Sequence, residues 1–207
     1  ARWDGNAWSP LGGGLKGWVG ALAVSGSDLY AGGGFTRATN SGGVSVVVNN
    51  IAKWNGTAWS SLGSGMSGGS TPYVYALAVL GSDLYAGGWF TSAGGNPASY
   101  IAKWNGTAWS RLGWGMNARV TELTVSASDL YAGGWFDRAT NSDGLAVSAG
   151  RIARWNGNSW SALGLGMDKN VAALAVSGGV VYAGGDFTTA GGGGRTATRI
   201  AVWDGRE

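Results

Sequence analysis

The sequence contains no cysteine and no histidine, only three prolines, and few charges for its 207 residues. Without cysteine there are no disulfides, no thiolate metal sites and no cysteine nucleophile. Without histidine the commonest general base and the commonest transition-metal ligand are missing, which argues against an enzyme and gives no reason to expect a cofactor. The formal net charge of +3 is small and scattered, so neither a nucleic-acid partner nor a charged membrane surface is expected. No apolar run approaches the ~20 residues that span a bilayer, so membrane insertion is not expected either. No signal peptide is visible, and the chain opens within a repeated phrase.

What is abundant is glycine, 41 residues, beside a 44% hydrophobic fraction. Disorder needs low hydrophobicity and high charge, and neither holds. The glycines must therefore punctuate ordered segments. The length fits a single repeat domain, 1–207.

One phrase recurs. "IAKWNGTAWS" occupies 51–60 and 101–110 unchanged, with near-copies at 1–10, 151–163 and 199–205. Its first tryptophan falls at Trp3, Trp54, Trp104, Trp155 and Trp203, with spacings of 51, 50, 51 and 48 residues. Such a period signals a solenoid or a propeller. Between phrases, "ALAVSGSDLYAGGGFT" (21–36) returns at 76–91, 122–137 and 173–188. Each unit thus holds four short runs rich in Val, Leu, Ile, Trp and Tyr, bounded by turn residues, and none has a helical period. Asn-Gly and Asp-Gly supply the positive φ angles of tight hairpins. The expected fold is all-β: a β-propeller of four-stranded antiparallel blades, four in number, with both termini in the closing blade. A β-helical stack would need parallel strands and shorter coils. The units fall at about 17–63, 72–113, 118–164 and 170–204, closed by 1–12.

The order of apolar strand, Leu-Tyr-Ala-Gly-Gly, variable loop, Trp, Asn-Gly, Trp, Leu-Gly and Met resembles a kelch-type blade. The glycine doublets stand at 32–33, 87–88, 133–134 and 184–185; the second Trp is Trp8, Trp59, Trp109 and Trp160; the Met is Met66, Met116 and Met167. The wording is closest to repeats of large secreted or surface proteins of bacteria. That resemblance implies a propeller and an extracellular or cell-surface location. The copper site of kelch-type oxidases needs histidine and cysteine, so it does not carry over.

The count leaves one strand over. Seventeen runs compete for the sixteen places of four blades, with "ARWDG" and "IAVWDG" rivals for one third-strand place. Charges arbitrate. Asp28 should face Lys53, Asp83 should face Lys103, and Asp129 should face Arg154, whereas the last unit offers Val180 with Val202. Val202 matches Val180 better than Arg2 does, so the later segment should hold the place. Segment 7–12 then becomes the outermost strand of the closing blade. The displaced "ARWDG" leaves room for a longer repeat array or a strand-exchanged oligomer.

Long, varied connections (37–49, 92–99, 138–149, 189–198, and 63–73 with its counterparts) gather on one face, where a rigid scaffold normally builds its binding site. There tryptophan breaks the repeat. The position after Gly-Gly is Gly34, Trp89, Trp135 and Asp186, and Trp114 stands alone inside "LGxGM". Trp18, Tyr73, Arg119 and Asn170 fill another varied position near the axis. A scaffold wants one residue in every blade, but a single site does not. Trp89, Trp114, Trp135, Asp137, Arg138 and Arg119 are therefore the candidate site for a protein partner or, alternatively, a glycan. Catalysis would need paired carboxylates, and Asp137, Asp143, Asp168 and Asp186 lie in separate connections. The Asn55-Gly-Thr57 and Asn105-Gly-Thr107 sequons are explained by turn chemistry, and "NSDG" (141–144) lacks the carboxylates of a calcium loop.

Overall fold

The computed structural model describes residues 1–191 and 196–205. Among them there is no α-helix, only a single 3₁₀ turn at Ser41–Gly43. The principal strands are an N-terminal pair, β1 (Arg2–Trp3) and β2 (Trp8–Ser9), followed by blade-like antiparallel sheets. The first sheet holds β3 (Gly14–Ser25), β4 (Asp28–Thr39), β5 (Ile51–Trp54) and β6 (Trp59–Ser61). The second holds β7 (Tyr73–Leu80), β8 (Asp83–Trp89), β9 (Ile101–Trp104) and β10 (Trp109–Arg111). The third holds β11 (Val120–Ser126), β12 (Asp129–Gly134), β13 (Ile152–Trp155) and β14 (Trp160–Ala162). The last has three strands: β15 (Val171–Ser177), β16 (Val180–Gly185) and β17 (Ile200–Trp203). The architecture is all-β and propeller-like, with the strands of each sheet in sequence order from the inside out.

Stacking follows from side-chain size. Each innermost strand alternates small and large residues: Ala76 and Ala78 face the third sheet, while Leu77 faces the first. The apolar clusters accordingly lie between sheets, one across each junction. The glycine doublet makes the close approach possible. A Cβ on Gly32, Gly87 or Gly133 would run into Val74, Val120 or Val171 of the next sheet. A Cβ on Gly88 would strike the Tyr73 carbonyl across the bulge in its own sheet. A second link joins neighbours farther out. The indole N–H groups of Trp59, Trp109 and Trp160 donate to the carbonyls of Leu11, Leu62 and Leu112 in the preceding unit, at 2.9, 2.9 and 3.0 Å.

The expected charge pairs form: Lys53–Asp28 at 2.7 Å, Lys103–Asp83 at 3.0 Å and Arg154–Asp129 at 2.9 Å. The ladder places Tyr30 and Tyr85 directly opposite the two lysines, so each aspartate is a diagonal neighbour. The hydrogen bonds that Lys53 and Lys103 donate to Asp28 and Asp83 hold both lysines above the ordinary lysine range. That stabilisation is complete at neutral pH and is lost only as pH rises through the raised values.

The competition for the third-strand place resolves as the charges indicate, with β17 paired to β16 through Tyr182↔Val202. The expected partnership of segment 7–12 with the last sheet is not formed. Strand β2 pairs with β1 alone, and no strand of the first sheet pairs with one of the last among the described residues. The reason is local. Asp4 closes the β1–β2 turn by accepting the Asn6 and Ala7 N–H groups, and Leu11 anchors the segment beside Trp59. Among the described residues the sheets form an open arc.

One residue works against the junctions. Glu122 occupies the place of Ala21, Ala76 and Ala173, on the side of its strand that faces the last sheet. Burial raises its pKa, offset in part by the Leu123 N–H. A raised carboxylate favours the fold when protonated, so this site is most favourable in acid and weakens as pH rises through the raised value. Glu122→Gln should therefore raise the chemical-denaturation midpoint at pH 7, and the gap to wild type should close toward about pH 4. A pH-independent gap would mean that the charge plays no part.

Candidate functional site

Two varied positions meet where the innermost strands enter the long-loop face. Trp18 lies opposite Gly34 and Tyr73 opposite Trp89 in the strand registers; the Trp135 N–H donates to the Arg119 carbonyl, and the Asp186 N–H to that of Asn170. Each pair belongs to one sheet, and in the second and third sheets the first member leans on the sheet before it. The Tyr73 ring covers Gly34, and the Arg119 guanidinium reaches Trp89. The two positions therefore form a continuous track from sheet to sheet.

Along this track the aromatics fall into two groups. Trp18, Tyr73 and Tyr75 cluster with centroid separations of 5.9–6.2 Å, the tyrosines stacked and Trp18 edge-on. Beyond them the Arg119 guanidinium sits 4.1 Å from the Trp135 ring centroid and 5.5 Å from that of Trp89, bridging the two indoles. Tyr100 packs edge-on against Trp89, and Arg151 donates to the Trp135 carbonyl. Trp89 and Trp135 are 38% and 45% exposed, whereas Trp109 and Trp160 in the sheets are 6% and 2%. The track is open to a partner.

The other expected residues divide. Asp137 lies beside the pair, locked to Asn117: the amide donates to Oδ1 at 2.7 Å, and its oxygen takes the N–H groups of Asp137 and Arg138 at 3.1 Å. Arg138 begins a short strand, Arg138–Thr140, in a small sheet with Gly115–Met116 and Ala146–Ser148. Trp114 is at the far end of that sheet, where its N–H donates to Thr140, and Arg111 stacks on it at 3.6 Å. None of the described ring contacts joins Trp114 to the other two tryptophans. The separation arises because the long connections fold into a second layer of small sheets that carries them outward. Part of the 189–198 connection, residues 192–195, lies outside the described residues.

The four carboxylates on this face each have a separate partner. Asp168 accepts the Thr189 and Thr188 N–H groups and the Thr188 hydroxyl, which together hold it well below the usual carboxylate range. Asp143 accepts the Leu145 N–H, and Asp186 meets Arg199 at 3.5 Å. Asn55 and Asn105 of the sequons each take a threonine N–H and hydroxyl in a tight turn. Asn141 of "NSDG" clasps the backbone of Trp160, as Asn40 clasps that of Trp59. Sequence reading passed over Tyr75 and Tyr100. Their signal was available, since the matching positions hold Gly20, Thr121 and Ala172, and Asn50, Arg151 and Arg199.

Solved structures similar in fold include the computationally designed Ika4 protein, with a TM-score of 0.58 and 17% identity over 95% of this chain and 98% of that one. Another is the computationally designed Ika8 protein, with a TM-score of 0.50 and 18% identity over 92% of this chain and 60% of that one. At this identity the likeness concerns fold alone. The sequence matches no protein-family model and no curated protein.

Exposure predicts how the tryptophans divide energetically. Trp89→Ala and Trp135→Ala should each cost less than ~1 kcal/mol of stability, as surface changes do. Trp109→Ala, which empties a buried site and orphans the Leu62 carbonyl, should cost ~3–5 kcal/mol. Urea titrations of the three variants would show it, and equal losses would make the exposed pair packing residues.

Proposed function

We propose that this chain is a non-enzymatic binding scaffold of four propeller blades that docks a protein partner on its aromatic track. The observation that supports this most is Arg119 bridging two half-exposed indoles on rigid strand ends. Tryptophan, tyrosine and arginine are the residues that dominate protein–protein hot spots. Cation–π stacking holds the guanidinium in place, so less side-chain freedom is lost on association. A cell-surface or extracellular setting for such a scaffold is supported by the kelch-type resemblance of its repeats. A glycan is the weaker reading, because Arg119 and Arg111 lie over indole faces on which a sugar would stack.

The test is a selection of phage-displayed peptides on the immobilised 207-residue protein, run beside a glycan array. Selected peptides should bind Trp135→Ala and Arg119→Ala about 30-fold more weakly, the equivalent of one ~2 kcal/mol hot spot. Peptides indifferent to both changes would overturn the site. Array sugars whose binding disappears in Trp135→Ala, with no peptide selected, would replace the protein partner with a glycan.

A further inference from the structure

The two outer faces of the arc carry the same residues that are buried at every internal junction. On the last sheet Tyr182 is 43% exposed and Ile200 70%, whereas the matching Tyr85 and Ile101 of the second sheet are 5% and 0%. On the first sheet Leu22 is 62% exposed and Val19 40%, whereas the matching Leu77 and Val74 are 9% and 0%. One face is the kind that receives a following sheet, and the other is the kind that packs on a preceding one. They are complementary by construction, and both are uncovered.

A cleft marks the same site in a second way. A cavity of about 620 Å³ lies along β17, lined among others by Leu163, Gly164, Gly191, Ile200 and Trp203. In the second sheet the counterparts of two of these glycines, Gly63 and Gly94, border the Trp109 side chain, and the counterpart of Leu163, Leu62, accepts its indole N–H. The cavity is therefore the seat of a fourth-strand tryptophan. The tryptophan that matches by repeat is Trp8, which is 68% exposed at the other end of the arc. Its own hairpin is tied there by Leu11 and Trp59.

We propose that a second copy of this chain fills that seat. Its β2 adds to the edge of β17, its Trp8 enters the cavity and donates to the Leu163 carbonyl, and its Val19 and Leu22 cover Gly184, Tyr182 and Ile200. Displacing the Trp3 strand from β2 frees the edge that β17 takes. The contact is head-to-tail, and two copies satisfy both ends when each covers the other's open face. A second copy fits better than closure within one chain, because the glycine-to-valine contacts at the internal junctions leave no slack to bring the two ends of the arc together. The proposal does not depend on the aromatic track.

Light scattering coupled to size-exclusion chromatography on the 207-residue chain should give twice its 20.9 kDa mass. A monomer at every concentration, or an assembly of more than two copies, overturns the proposal. Leu22→Glu and Ile200→Glu damage opposite faces, so each alone should run as a folded monomer by far-UV circular dichroism. Mixed, they retain one intact interface and should form a 1:1 pair; a mixture that stays monomeric overturns the head-to-tail arrangement. Gly184→Ala is the gentler variant. A Cβ there meets only ordinary contacts within the chain, at 3.8 Å, yet would collide with the second copy's Val19. It should leave the monomer's spectrum unchanged and weaken the dimer at least tenfold. An unchanged dimer overturns the interface.

Discussion

A missing side chain organises this molecule. At Gly32, Gly87 and Gly133 the absent Cβ admits a valine from the next sheet, and that intrusion fixes the separation and angle of the sheets together. The bulge, the alternation of alanine with leucine and the indole-to-carbonyl link all presuppose that approach. Cohesion accordingly lies between repeats. No sheet could cover both of its own faces, so each depends on a neighbour, as in other repeat architectures.

This dependence explains what could be read from the sequence. Strand limits, the Asn-Gly turns and the three aspartate–cation pairs are local or cross-strand features, and the period displays them several times over. The preference of Val202 for Val180 over Arg2 was legible for the same reason: paired positions changed together. Burial of the junction residues was not legible at the ends of the arc. Tyr182 and Tyr85 are the same letter in the same phrase, and only the presence or absence of a following sheet separates them.

The candidate site was legible in part. The break in repetition identified Trp89, Arg119 and Trp135, because a residue present at one junction cannot serve a need common to all. It also drew in Trp114, which the small outer sheet of Gly115–Met116 and Arg138–Thr140 holds away from the other two. Loop length in a sequence says how far a connection can reach, and whether it lies flat or folds into a second layer depends on hydrogen bonds made with another unit. Trp114 pairs through Thr140, a partner some 26 residues along the chain.

The repeated tryptophan pairs also have an optical consequence. Trp54–Trp59, Trp104–Trp109 and Trp155–Trp160 hold their ring centroids 5.4, 5.4 and 5.1 Å apart at similar tilts. Indoles that close and that regularly oriented couple their electronic transitions, so the chain carries a chromophore array whose exciton signals add with a common sign. The N-terminal hairpin contributes a fourth pair of the same kind, Trp3–Trp8 at 5.6 Å. Trp203 is the third-strand tryptophan without such a mate among the described residues, and so the dark element of the array: it would brighten only by taking a neighbour from elsewhere.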